Sequence, residues 1–320
     1  MKKLFSILSL FSSLLISSQE EASNWYFGEN AGIQFAIDGS ISILNDGQLN
    51  TNEGCSSISD NIGNLLFYTD GSTVYNRNHT VMSNGSGLLG HASSTQSAIL
   101  VPKPGDSNIY YIFTVDSAVN TTNEGLNYST VNITLNGGLG AVTNKNIQLL
   151  DKCSEKITAV VKDCDTDAIW VITFASENGT EDEYNTFHAF EVTPAGVNNR
   201  SVESTFNLNV TDPRGYLKTS PDGSTLACAN GTSGLYIYDF DTATGLVSNQ
   251  TNLAINSNHH YAYGVEFSPN NQFLYIHSYN DASGNDLSHF SALTQFDLSA
   301  TNISDSQVLL DELNLFRGGL

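Results

Sequence analysis

Positive charge is scarce in this sequence. Twelve lysines and arginines stand against 33 aspartates and glutamates, a formal net charge of −21. A field of that sign opposes phosphate backbones and anionic membranes, so a nucleic-acid partner is excluded. Charged residues make up only 14% of the chain, which leaves the polar surface to Asn, Ser, Thr and Gly. Such a surface suits many short strands with tight turns better than long helices. Long apolar runs are missing as well. The stretch Leu4–Ile16 falls short of the about 20 residues a transmembrane helix needs, and no later segment reaches that length, so no membrane span is expected. The four cysteines, Cys55, Cys153, Cys164 and Cys228, show no Cys-x-x-Cys spacing, which removes a zinc knuckle or dithiol redox motif of that type. Neither a Gly-x-Ser-x-Gly elbow nor a His-Glu-x-x-His helix occurs, so two hydrolase signatures are absent.

What the N-terminus does have is a leader. Lys2 and Lys3 precede the apolar stretch, and Ser17-Ser18-Gln19 closes it. A basic start, an apolar run and a small polar exit form a secretory signal peptide. The expected organisation is a signal peptide over 1–19 and a repeat region over 20–320. The product is exported, to the periplasm, the cell surface or the medium. An oxidising destination permits disulfides; Cys153 and Cys164, the nearest pair, could staple neighbouring strands. Reduced, buried thiols are the alternative.

The repeat region is built from one recurring unit. Five times an apolar strand runs into a polar turn and returns as a second apolar or aromatic strand. The second strands centre on Leu66, Tyr110, Trp170, Leu226 and Leu274. Their spacing is that of propeller blades with variable loops. Ser220-Pro221-Asp222-Gly223 and Ser268-Pro269-Asn270-Asn271 supply the fixed and positive φ angles of tight hairpins. Ile109–Phe113, Ile169–Ile172 and Leu235–Tyr238 are apolar on both faces, as sheets covered on both sides require. The expected fold is therefore an all-β propeller of the seven-bladed, WD40-like type. Five blades are evident, with further strand material from Trp25 to Leu49. A two-layer sandwich is the competing architecture. The final Arg317-Gly318-Gly319-Leu320 repeats the Arg214-Gly215-Tyr216-Leu217 that opens the fourth unit. An incomplete ring, part of a longer chain, is the expectation, because an open edge exposes unpaired backbone groups.

Three linked segments carry a family resemblance. They are Asn24-Trp25-Tyr26-Phe27-Gly28 with Ala31–Phe35, Asn52-Glu53-Gly54-Cys55 through Tyr68-Thr69-Asp70-Gly71 to His79, and Ser94-Thr95-Gln96-Ser97 through Val101-Pro102-Lys103 to Asp116. Together they resemble the N-terminal propeller region of large gliding-motility-associated surface proteins exported by type IX secretion. The resemblance implies further propeller sequence, adhesion-type repeats and a C-terminal sorting domain, which this sequence does not contain. It implies no catalytic residues.

Candidate chemistry is sparse. Asp163, Asp165 and Asp167 alternate, a spacing that could offer oxygen ligands to Ca²⁺, although no distal acid completes a helix–loop–helix site. No other cofactor is indicated. Of His79, His91, His188, His259, His260, His277 and His289, the adjacent pair would point to opposite faces of a strand, poor geometry for one metal. The leading functional expectation is a non-enzymatic binding platform for a glycan or protein at the cell surface, in adhesion or gliding. The alternative is a secreted hydrolase of a lactone or polysaccharide that uses dispersed carboxylates near the axis. A third reading is a spacer within a larger surface protein.

Overall fold

The structure is a computed structural model that describes residues 20–118, 122–163, 166–256, 261–280 and 290–314. Residues 1–19, the expected signal peptide, together with Cys164, Asp165, His259, His260, His289 and the last six residues, lie outside the described residues. A three-stranded antiparallel sheet opens the chain: β1 (Asn24–Tyr26), β2 (Gly32–Phe35) and β3 (Ile41–Leu44). A four-stranded meander follows, β4 (Ser56–Ser59), β5 (Leu65–Thr69), β6 (Thr73–Asn76) and β7 (Val81–Ser86). Next come β8 (Ala98–Lys103), β9 (Asp106–Val115), β10 (Leu126–Asn132) and β11 (Ala141–Leu150). The third meander is β12 (Ile157–Asp163), β13 (Ala168–Ala175), β14 (Tyr184–Thr193) and β15 (Gly196–Val210). The fourth is β16 (Leu217–Thr219), β17 (Thr225–Ala229), β18 (Leu235–Asp241) and β19 (Leu246–Leu253). The fifth is β20 (Tyr261–Phe267), β21 (Phe273–Tyr279), β22 (Ser291–Asp297) and β23 (Val308–Leu313).

Leu66, Tyr110, Trp170, Leu226 and Leu274 each lie on the second strand of a meander, as their spacing predicts. The hairpins follow their turn chemistry. Gly223 N donates to Ser220 O at 2.8 Å, and the positive φ of Gly223, 75°, needs a residue without a Cβ. Asn271 takes the equivalent place at φ 60°, a conformation that Asn tolerates better than most residues.

Where the cores sit decides between propeller and sandwich. A sandwich would bury one core between two layers. Here each apolar cluster lies between one sheet and the next in the chain. Tyr26 and Leu49 pack on Tyr68. Phe67 and Val74 pack on Tyr110 and Ile112, and Phe113 and Val115 on Val171 and Phe190. Phe174 and Phe187 then meet Tyr238, while Ile237 and Leu235 meet Val265 and Ile276. The first strands β4, β8, β12, β16 and β20 touch in that succession. This is the radial stacking of a propeller-like arrangement.

One join departs from the pattern. The outer strands β7 and β11 pair in parallel at Ser83 and Ala141, merging two meanders into an eight-stranded sheet. Lys145 Nζ holds that seam through Asn84 Oδ1 at 3.1 Å and Ser86 O at 2.8 Å.

The cysteine staple is not present. Cys55, Cys153 and Cys228 are free thiols, and Cys153 is wholly buried in the core between the second and third meanders. β12 follows it and carries the chain about 20 Å away, while disulfide-bonded Cα atoms stand within about 7 Å. Among the described residues no helix is long and apolar enough to cross a membrane.

Candidate active site

The first strands β4, β8, β12 and β16 are each preceded by a short lead-in segment, and these segments are bonded to one another at one end of the meanders. Their residues are Glu53-Gly54-Cys55, Thr95-Gln96-Ser97, Ser154-Glu155-Lys156 and Arg214-Gly215-Tyr216. Backbone bonds link them in turn. Gln96 N donates to Glu155 O at 3.1 Å, Glu155 N to Pro213 O at 3.3 Å, and Tyr216 N to Tyr263 O at 2.8 Å. The Gln96 amide adds a clamp, its Oε1 accepting from Ile157 N at 3.1 Å and Leu217 N at 2.8 Å. A residue that fixes the starts of both β12 and β16 sets the position of everything around it.

Glu155 is wholly buried, and four donors hold it. Its Oε2 accepts from Thr95 N at 3.0 Å and Thr95 Oγ1 at 2.8 Å. Its Oε1 accepts from Ser117 Oγ at 3.2 Å and Ala118 N at 3.1 Å. Lys156, equally buried, donates to Pro213 O at 2.6 Å and Arg214 O at 2.8 Å. Burial lowers the Lys156 pKa, and the facing charge of Arg214 adds to that against opposing acids. Its role is to fasten the loop that carries Arg214.

Arg214 is held from the other side by Asp212, whose Oδ1 and Oδ2 accept from Nε and Nη2 at 2.8 Å each. This bidentate grip fixes the guanidinium plane, keeps the Asp212 carboxyl below its usual range despite burial, and does not engage Nη1.

Glu53 completes the group and differs from Glu155. Burial is the main cause that pushes its carboxyl up to about 7; the Glu155 charge also raises it, while a hydrogen bond from Tyr263 and the charge of Arg214 oppose the rise. Glu53 therefore exchanges a proton near neutrality, which suits a general acid or base. Tyr263 is buried, and its hydroxyl meets Thr95 Oγ1 at 3.2 Å. Burial and the Glu53 charge raise the tyrosine pKa far above the ordinary value, so it stays a hydrogen-bond donor. Tyr216, Tyr279 and His277 surround it with ring contacts of 6.1–6.2 Å.

A cavity of about 1090 Å³ lies elsewhere. It runs beside β1 and along β4 and is lined by Trp25, Tyr26, Ser57, Leu100, Tyr110 and Lys218. Glu53 is not among its walls, so the chemistry and the void are separate features.

The residues singled out for metal do not form this site. Asp163 Oδ1 accepts from Thr166 N at 2.6 Å and Thr166 Oγ1 at 2.7 Å in the β12–β13 turn. Asp167 follows in that turn at φ 47°, and Asp165 lies outside the described residues. Among the described residues no three His, Cys, Asp or Glu side chains are grouped to hold a metal ion. His188 is bonded within its own meander, through Ser201 Oγ at 3.0 Å and Ser176 O at 2.9 Å. None of Glu53, Glu155, Arg214 and Tyr263 stands out as chemistry in the sequence. The signal that could have found the first three is position: each stands two or three residues before a first strand.

No family model matches the chain, and no curated protein does. Solved structures similar to it include a Bacteroides fragilis protein proposed to be a 6-phosphogluconolactonase. That match has 12% identity and a TM-score of 0.48, covering 92% of this chain and 82% of that one. The periplasmic gluconolactonase PpgL of Pseudomonas aeruginosa matches at 13% identity and a TM-score of 0.44, over 79% and 68%. A GH74 enzyme of Niastella koreensis matches at 16% and 0.41, over 92% and 39%. The propeller-like arrangement follows from the strand pairing and from the cores between successive meanders.

Proposed function

We propose that this protein is an exported propeller hydrolase whose axial Glu53 activates water against a lactone. The observation that carries the reading is a carboxyl poised at about 7 beside a fixed guanidinium and a tyrosine hydroxyl. Water would give a proton to Glu53 as its oxygen adds to the lactone carbonyl carbon. The acyl C–O bond of the ring then breaks, and Glu53 returns the proton to the ring oxygen, leaving the hydroxy acid. Arg214 Nη1 is the donor suited to the carbonyl oxygen as it gains charge.

The state of Glu155 favours a lactone over a polysaccharide. Glycoside hydrolysis generally calls on two working carboxylates. Both oxygens of Glu155 are already engaged by the donors of Thr95, Ser117 and Ala118, which leaves Glu53 alone. Ester-type hydrolysis needs one base and an oxyanion partner.

The test is turnover of five- and six-membered sugar lactones by the chain from Glu20, corrected for spontaneous opening. Glu53→Gln should lower kcat/KM by about 100-fold or more with an unchanged circular dichroism spectrum. Equal rates in the two proteins, or no lactone opened by either, would remove the proposal.

A second reading, the non-enzymatic glycan- or protein-binding platform, draws on exposed apolar side chains of the outer strands. Ile41 and Ile43 of β3, and Val308, Leu309, Leu310 and Leu313 of β23, all face solvent, and such rows mark interaction surfaces. Glycan-array and pull-down binding that survives Glu53→Gln and is lost on Leu309→Asp would favour it.

A further inference from the structure

The Thr95 hydroxyl has one hydrogen and two lone pairs to place, and its neighbours account for all of them. The hydrogen goes to Glu155 Oε2 at 2.8 Å, because a carboxylate is a stronger acceptor than a phenol oxygen. One lone pair accepts from Gly215 N at 3.3 Å. The contact left is the Tyr263 hydroxyl at 3.2 Å, and only Tyr263 has a hydrogen to give there. So in that bond Tyr263 donates and Thr95 accepts.

Tyr263 also donates to the Glu53 carboxyl. A phenol has a single hydrogen, and the two acceptors compete for it. When Glu53 is ionised, its charged oxygen is the stronger acceptor. When Glu53 takes up a proton, that advantage is gone. The hydroxyl then turns to Thr95 Oγ1, and the new Glu53 hydrogen can point to the Tyr263 oxygen. Every donor in the row then runs one way, from Glu53 through Tyr263 and Thr95 to Glu155.

Four parts of the chain meet in this row. Glu53, Thr95 and Glu155 precede β4, β8 and β12, and Tyr263 lies on β20. Thr95 and Glu155 are covered and Tyr263 is 7% exposed, so water does not replace either acceptor. Glu155 and Arg214 are the other charges that act on Glu53. Tyr216, Tyr279 and His277 flank Tyr263, and the Glu53 charge reaches both of those tyrosines.

We propose that the Tyr263 hydroxyl is a two-position donor, turned to Glu53 when that carboxyl is ionised and to Thr95 Oγ1 when it is protonated. Tyr263 is thus a positioning residue, which holds the Glu53 carboxylate in the form that accepts a proton from water. That role rests on the lactone-hydrolase reading. The turn of the hydroxyl does not, because it follows Glu53 with no substrate bound.

The experiment titrates the Glu53 side-chain carboxyl by carbon-13 NMR in the substrate-free protein, the resonance being assigned by its loss in Glu53→Gln. Tyr263→Phe removes the donor to the ionised form. Glu53 should then hold its proton about tenfold more tightly, a midpoint about one unit higher. A merely structural loss would admit water and move the midpoint the other way, toward the ordinary 4.5. Thr95→Val removes the acceptor that serves the protonated form and should lower the midpoint, and Thr95→Ser should restore it. Arg214, Tyr216, Tyr279 and His277 are common to all these proteins, so their charges cancel in the comparison. The pH limb of kcat/KM should move with the carboxyl in each variant. Should Tyr263→Phe fail to fold, the Tyr263 Cζ resonance of the wild type reads the same turn and should shift through the Glu53 midpoint. A midpoint that does not rise in Tyr263→Phe or does not fall in Thr95→Val, or a flat Tyr263 resonance, overturns the proposal. Midpoints that move as stated while no lactone is opened keep the two-position donor and remove the hydrolase reading.

Discussion

Thr95 grips Glu155 twice, through its amide at 3.0 Å and its hydroxyl at 2.8 Å, across 60 residues of sequence. The contact ties the lead-in of the second meander to that of the third and keeps a wholly buried carboxylate in hydrogen bonds. A charge in that position persists only when its oxygens are satisfied. Replacing Thr95 with Val removes one donor and leaves the shape. The variant should lose about 1–3 kcal/mol of stability, read as a lower urea midpoint at unchanged m-value. Stability equal to wild type would show that the pair adds nothing.

Gln96 should be more sensitive still. Its Oε1 is the acceptor for both Ile157 N and Leu217 N, so Gln96→Leu orphans two amides at once. A loss of about 2–4 kcal/mol is expected, with strand content preserved in the far ultraviolet. Gln96→Glu keeps the acceptor and should recover part of that loss.

Gly54 sits where two lead-in segments come closest. A Cβ there would stand 2.1 Å from Ser97 N and 2.8 Å from the Gln96 carbonyl carbon, both backbone atoms. Gly54→Ala must push the first and second lead-ins apart, at about 1–3 kcal/mol. If Glu53 is the base, the same displacement lowers lactone turnover, so the thermal midpoint and the rate should fall together.

Glu53 gives the protein a pH signature of defined sign. Its folded pKa, about 7, lies above the ordinary 4.5, so folding favours the protonated carboxyl. Its contribution to stability is full below about 4.5 and is lost as pH rises through about 7. The urea midpoint of wild type relative to Glu53→Gln should therefore fall across that window. As a base, Glu53 works deprotonated, so wild-type kcat/KM should rise through the same window while residual activity in the variant stays flat. A wild-type profile without that limb would assign the base elsewhere.

The thiols offer a check on the fold itself. Burial pushes Cys153 up to about 12 and Cys228 up to about 11, and both are wholly covered. Neither should react with a thiol reagent at pH 8 until the chain unfolds. In urea both should become reactive at the global transition.

The strand repeats were legible because hairpin chemistry is local. Ser220-Pro221-Asp222-Gly223 bends the chain whatever surrounds it, and a strand apolar on both faces, such as Ile169–Ile172, declares that both faces are covered. Three of the four segments that form the site were also visible, though not as chemistry, and Ser154-Glu155-Lys156 carried no signal at all. Glu53-Gly54-Cys55 and Thr95-Gln96 stood inside the family resemblance, and Arg214-Gly215-Tyr216 in the comparison with the last residues. Nothing in those strings marks chemistry.

By itself the sequence determined that the chain is all-β, that its hairpins recur, and that its formal net charge is −21. Each follows from composition or from neighbours a few residues apart. Only the tertiary structure decided that the Glu155 charge acts on Glu53 and that the two carboxyls have opposite fates, one poised to titrate and one held by four donors. It also decided that Cys153 stays a thiol. Burial and partner count set a carboxyl's behaviour, and the path of a strand sets which thiols can meet. Both depend on residues tens of positions apart that come together only when the sheets stack.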